Sequence, residues 1–314
     1  MANSLGREKV QWTPETWADI DKAVLAEVGR LRVAQKVFLA STNGNGEHVP
    51  ADKLHFDTMT IEEGQTKPYV EVSVEFALTQ GQVDGESTLH TARTLGRLAA
   101  KAVALAEDTL FFQGSRTQIP GVKVLRSDSV GTGLLGSDGI KTVQVAQNGQ
   151  PGKYGEKTFN AVALAIGLLN ADQQPGPYAL VLESSIFADT YDMIPGTLVT
   201  PADRIIALVP GGFYATGALP PLTGLMVSLG GEPTSLYVGQ DAITAYTQTD
   251  GDGNSKFRVF ERVQIIARDP RAFVRLDFQG QPATPGAVSD AATADARTAA
   301  HGNGPGTLAV AGKV

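Results

Sequence analysis

Glu107 and Asp108, adjacent in AEDTLFFQG (Ala106 to Gly114), are the most suggestive acids in the chain. A catalytic carboxyl pair must flank one bond, whereas neighbouring helical residues point about 100° apart. Salt bridges or helix caps are the use this spacing favours. GTGLLG, Gly131 to Gly136, matches the glycine pattern that cradles a dinucleotide pyrophosphate, which works only between a buried strand and a helix. LRSDSV precedes it and SDGIKTVQVAQNG follows, both turn and strand chemistry, so a glycine-rich loop is expected and no cofactor. DGDGNSKFRVFE, Asp250 to Glu261, has oxygen ligands at the first, third and fifth positions of a calcium loop and a glutamate at the twelfth. Ser255 stands where the sharp turn wants glycine, and the flanks read as strands, which makes this a polar hairpin turn. His48, His55, His90 and His301 have no spacing that clasps a metal from one helix face. There is no Gly-x-Ser-x-Gly elbow, no phosphate-binding Gly-Lys-Ser/Thr loop and no cysteine. No catalytic residue and no metal site is expected, and the chain reads as a non-enzyme.

Trp12, Trp17 and Ile20 differ in kind. They sit on one side of the first helix, where they serve either ordinary core packing or the capture of an apolar peptide. Thr13, Pro14 and Glu15 start that helix with a hydroxyl cap, a proline that needs no donor and an acid at the positive end of the dipole. Its periodicity predicts a run to about Leu39. STNGNGEH then makes a turn-rich link. YVEVSVEFAL alternates as a half-buried strand, and Glu86 to Gly114 reads as a helix so rich in Ala, Val and Leu that it is covered on most sides, a spine closed by Gly114. Short strands and glycine turns fill Val122 to Gly155, and an amphipathic helix follows over Lys157 to Leu169. TYDMIPGTLVTPADRI, with Pro195, Gly196 and Pro201, projects as a loop. Strands are expected at Gly224 to Leu229 and Ser235 to Val238, then a hairpin of Ala242 to Gln248 and Lys256 to Ile266.

Composition bounds the function. With 314 residues and 42% hydrophobic content the chain can bury a large core. A net charge of −7, with no run of basic residues longer than two, argues against nucleic-acid binding. Ile205 to Gly231 lacks charge but contains Pro210, Pro220 and Pro221, so buried loops and strands are expected there rather than a membrane helix. MANSLGREKVQW is polar where a secretory signal would be apolar, and a cytoplasmic location is expected. Beyond Phe278 large apolar residues almost vanish, which predicts a disordered tail over residues 280–314, dispensable for assembly.

Several segments, in order, resemble the encapsulin or linocin-like family, whose shell proteins share the major capsid fold of tailed bacteriophages. They are WTPETWADIDKAV, the spine segment with AEDTLFFQG, GPYALVL at Gly176 to Leu182, SLGGEPTSLYVGQDAITAY with Gly239, Gln240 and Asp241, and FRVFERVQIIARDPRAFVRL. The resemblance implies an α+β capsid-like fold. Residues 1–44 would form the N-terminal helix and link on the lumen side, and 45–75 an extended arm reaching onto neighbours. Residues 76–134 and 232–279 would make a peripheral domain with the spine helix, and 135–231 an axial domain.

The resemblance further implies a shell subunit that assembles in multiples of sixty, as closed icosahedral symmetry requires, around a cargo enzyme of the peroxidase or ferritin-like iron oxidase class. Cargo would be held by a short apolar peptide in a groove matching Trp17, Ile20, Val259, Val263 and Ile265. A fivefold pore would be edged by Pro195, Gly196, Thr197, Leu198 and Thr200, with Asp203 and Arg204 behind them. Some members bind flavin through a tryptophan shortly before the spine helix. Leu78 to Gly85 has none, so the resemblance carries no flavin site over to this chain and no cofactor is named for it. Two rivals remain at this level: a phage major capsid protein of the same fold, and a soluble enzyme of similar composition.

Overall fold

The computed structural model describes residues 5–42, 46–55, 58–115, 119–193, 196 and 198–280. Thr13 accepts from Thr16 N at the start of α1, Pro14–Leu31, with Pro14 in the first turn as expected. The helix stops short of Leu39. Arg32 leaves helical geometry at φ −52° and ψ 130°, and Val33 N and Ala34 N each donate to the Asp108 carboxylate at 2.8 Å. The chain restarts as a single turn, α2, Ala34–Val37. A carboxylate from a distant helix overrides the local periodicity, because it satisfies two donors that the interior would otherwise strand.

Next come β1, Ala40–Thr42, and four short strands: β2, His48–Pro50; β3, Lys53–His55; β4, Thr60–Glu62; and β5, Thr66–Pro68. β2 pairs with β5 and β3 with β4, both antiparallel, making a narrow two-stranded projection. Its root is packed where Val49 meets Tyr69 and Ile266, Leu54 of β3 is half-buried, and β4 is exposed throughout. β6, Val70–Leu78, belongs to a larger sheet, so Val70 to Glu75 of the expected arm is core strand. Its alternation is what buries Val70 and Val72.

α3, Gln80–Asp84, opens on a capping box between Thr79 and Gln82, and α4, Glu86–Leu89, follows. The spine is α5, Thr91–Gln113. His90, at φ 50°, turns the chain between α4 and α5, and the buried Glu86 carboxylate caps α5 by accepting from Ala92 N and Arg93 N at 2.7 and 3.0 Å. One expectation changes: Leu98 and Leu105 of α5 are 62% and 44% exposed, so a face of the spine is open in the single chain. Gly114 ends α5 as expected. A Cβ on Gly133 would lie 2.4 Å from Gly114 N, and Ser115 N donates to Gly131 O, so GTGLLG is a clasp around the end of the spine. Two backbones cross there too closely for side chains.

β7, Lys123–Leu125, completes a sheet ordered β1-β12-β13-β6-β7, where β12 is Thr234–Thr249 and β13 is Ser255–Ala267. The two strands expected within Ser235 to Gln248 are one strand with bulges around Gln240. The second sheet is β10-β9-β11-β14-β8. Its strands are β8, Lys141–Val145; β9, Tyr178–Glu183; β10, Gly212–Thr216; β11, Thr223–Ser228; and β14, Phe273–Phe278. β14 was expected with the peripheral segments, yet it pairs with β8 and β11, burying Val274 and Leu276 against Leu180 and Met226. Helix α6, Glu156–Ala171, packs on this second sheet, with α7, Ser184–Asp189, and α8, Pro201–Leu208, beside it. The expected tail lies outside the described residues from Gln281 onward. Gln279 and Gly280 are described, and Gln279 is held by Val145 O and the Tyr154 hydroxyl.

Candidate peptide groove, buried acid cluster and pore loop

The inward face of β13 carries Phe257, Val259, Glu261, Val263 and Ile265, every second residue of the strand. A carboxyl group in that apolar row must find a partner. Arg32 supplies it, with the guanidinium 3.0 Å from Glu261, 3.1 Å from Glu107 and 2.8 Å from Asp241, which sits in the β12 bulge. Gln35 donates to Glu107 at 2.8 Å. Burial, then the Glu107 charge, pushes the Glu261 carboxyl well above the usual range. Burial raises the Glu107 carboxyl as well, with the Arg32 charge opposing it. Burial and then Glu107 push Asp108 up to about 7. Glu107 and Asp108 thus serve as salt bridge and cap, the use their spacing favoured. Glu107 and Glu261 are wholly buried, so no substrate reaches them.

At the far end of the same strand face an aromatic cluster forms. Trp12 stacks on Phe257 with centroids 5.1 Å apart and planes 9° apart, Trp17 lies 4.8 Å from Trp12, and Phe76 of β6 also stacks on Phe257 at 5.5 Å. Ile20, Leu78 and Val83 close it. Trp12 donates its indole N–H to Val83 O at 2.7 Å. Of the expected groove residues, Trp17 and Ile20 are in this cluster, whereas Val259, Val263 and Ile265 lie in the main core. All five are buried, none more than 5% exposed. Phe257, on which Trp12 stacks, and Phe76, which stacks on Phe257, lie outside the expected groove set. The signal was present, since Phe257 precedes Val259 by two and must share its face.

In the expected pore loop, Leu198 is 91% exposed and Met193 67%, and Gly196 has φ 82°. Pro195 and Thr197 lie outside the described residues. Thr200 caps α8 through a reciprocal box with Asp203. Asp203 and Arg204 do not pair with each other: Arg204 bonds Glu156 and covers the Phe159 ring at 3.7 Å.

The remaining motifs resolve into structure. Asp250 accepts from Asp252 N and Asn254 N, making the DGDGN hairpin turn, and Glu261 is far from it in the core. His48 is in β2, His55 sits 3.5 Å from Glu62, and His90 is the α4–α5 corner; His301 lies outside the described residues. Among the described residues no cluster of metal-ligating side chains forms, and no helix is long and apolar enough to cross a membrane.

The paired sheets, the spine helix and the two-stranded projection define a major capsid-type subunit. The virus-like particle from Pyrococcus furiosus matches it at a TM-score of 0.65 and 16% identity, over 84% of this chain and 100% of that one. The capsid of Myoviridae phage XM1 matches at a TM-score of 0.53 and 13% identity, over 79% of this chain and 92% of that one. The linocin M18 family model, described as "Encapsulating protein for peroxidase", covers residues 2–264, and the chain belongs to this encapsulin family of shell proteins. A type 1 encapsulin shell protein, EncA of Myxococcus xanthus, is 30% identical over 148 residues, 47% of this chain. That match spans half the length of the relative.

Proposed function

We propose that the chain is the self-assembling subunit of an icosahedral nanocompartment in the bacterial cytoplasm, built in multiples of sixty and enclosing a cargo enzyme. The observation that carries this reading is the projection β2 to β5. Its middle has Met59 and Ile61 at 86% and 58% exposure and, among the described residues, no core of its own, as befits an arm that is covered by neighbouring subunits. Residues 45–69 form that arm, the first sheet with α5 the peripheral domain, and the second sheet with α6 the axial domain. The loop from Met193 to Thr200 edges the fivefold pore, where its uncharged tip passes small neutral or anionic solutes without a strong electrostatic filter. Chemistry belongs to the cargo. The family description favours a peroxidase, with a ferritin-like iron oxidase as the second class.

Cargo is held at the Trp17 and Ile20 end of α1, with Phe257 as the near wall and Val259, Val263 and Ile265 continuing the same strand face as its buried floor. Co-expression of the shell with its native cargo enzyme tests this. Cargo should co-purify with parental particles and be lost from Trp17→Ala particles of unchanged size. Full loading of the variant would refute the groove.

A further inference from the structure

β12 pairs with β13 along one edge, and on its other edge β1 covers only Leu236 to Val238. At Thr244 to Tyr246 that second edge is taken by the chain's own amino-terminal segment. Tyr246 N donates to Leu5 O at 2.9 Å, and Arg7 donates to Thr244 O at 2.6 Å and to Asp21 at 2.7 Å. Asp21 in turn accepts from Thr244 N at 3.1 Å. Arg7 covers the Trp17 ring at 4.5 Å, Val10 is buried, and Trp12 fills the slot between Trp17 and Phe257. Gly6, at φ 66°, permits the approach: a Cβ there would lie 2.6 Å from Tyr246 O. This is how an extended peptide is read at a sheet edge, with main-chain bonds for affinity and an apolar pocket for an anchor.

The fit is incomplete. Trp17 Nε1 and Thr244 Oγ1 are buried on either side of Arg7, yet neither has a hydrogen-bond partner among the described residues. Each such donor costs free energy that a better-matched occupant would recover. Between these anchors the turn Arg7–Lys9 buries none of its residues.

We infer that Leu5 to Trp12 is a displaceable occupant of a peptide-binding groove, and that a partner protein's terminal peptide enters by exchanging for it. The entering peptide is extended, carries an apolar or aromatic anchor for the Trp12 slot and a basic residue for Asp21, and offers an acceptor to Trp17 Nε1. The inference rests on the cargo-groove reading and adds that the groove is closed at rest, so loading is a competition within each subunit.

The test is co-expression of the full-length shell, a shell lacking residues 1–12, and a Gly6→Ala shell, each with a green fluorescent protein ending in the sequence of residues 1–12. Fluorescence per purified particle should rise at least about tenfold in the truncated and Gly6→Ala shells over the parent. Should the truncated chain fail to assemble, Gly6→Ala decides alone, because its alanine disturbs only the seated segment. Equal capture by parent and variant, or capture by neither, would overturn the inference. The reporter carries the chain's own sequence, so this result is independent of cargo identity. If Trp17→Ala particles keep their native cargo, the cargo reading fails while the displaceable segment stands.

Discussion

The Arg32 guanidinium lies 3.0 Å from the Glu261 carboxyl inside the core, tying the end of α1 to the middle of β13. It is the shared cation of a cluster in which Glu107 is also wholly buried. Removing it leaves acids with no counter-charge. Arg32→Ala should therefore cost about 3–5 kcal/mol of stability, as loss of one partner of a buried pair does. Glu261→Gln should cost far less, because burial and the Glu107 charge already disfavour a negative charge there and the amide preserves its shape. Urea denaturation of both variants checks this; equal losses would contradict the raised Glu261 carboxyl.

The same cluster sets a pH dependence. Asp108 has a folded-state pKa raised from 3.8 to about 7 by burial and by Glu107. Between those values the folded chain binds more protons than the unfolded one, so stability falls as pH rises through that window. The raised Glu261 acts with the same sign. The urea midpoint should drop from pH 5 to pH 8, by on the order of a few kcal/mol in free energy. Asp108→Asn should flatten the profile. A midpoint that climbs with pH would contradict the cluster's electrostatics.

The crossing of Gly114 and Gly133 gives a steric prediction. Alanine at Gly133 would place its Cβ 2.4 Å from Gly114 N, at a φ of 71°. The clasp must open or the spine must move, costing about 1–3 kcal/mol from backbone strain alone. Thermal denaturation of Gly133→Ala should show a clear fall in Tm, whereas Gly149→Ala, with nothing near its Cβ, serves as the control for positive φ.

What was legible in the sequence was local. Thr13-Pro14-Glu15 marked the start of α1, Gly114 the end of the spine, and DGDGN the hairpin turn, each because the signal lies within a few residues. The end of α1 was not legible, because Asp108 caps Val33 and Ala34 from a distant helix. Val259, Val263 and Ile265 came from the family resemblance and do share one buried face of β13, and Glu261 in that row is the sign of a buried cation. Little in MANSLGREKVQW marks residues 5–12 as a groove occupant, since the backbone bond from Tyr246 and the Arg7 bond to Thr244 reach a strand distant in sequence. β14 joined the second sheet for a similar reason: its partners β8 and β11 are distant in sequence.

The arm separates folding from assembly. Replacing residues 53–62 with a short glycine-serine turn removes only exposed or half-buried side chains among those described, so the subunit should keep its circular dichroism and its Tm within about 2 °C. Closed particles should disappear. Particles that still form at normal size would show that the arm is not an intersubunit contact.

The central claim is that this chain closes on copies of itself, and electron cryomicroscopy of the purified protein tests it most directly. The account predicts hollow icosahedral particles with subunits in multiples of sixty, the β2 to β5 arm lying on a neighbouring subunit and the Met193 to Thr200 loop at the fivefold axes. A sample of monodisperse monomers or dimers under the same conditions would contradict it.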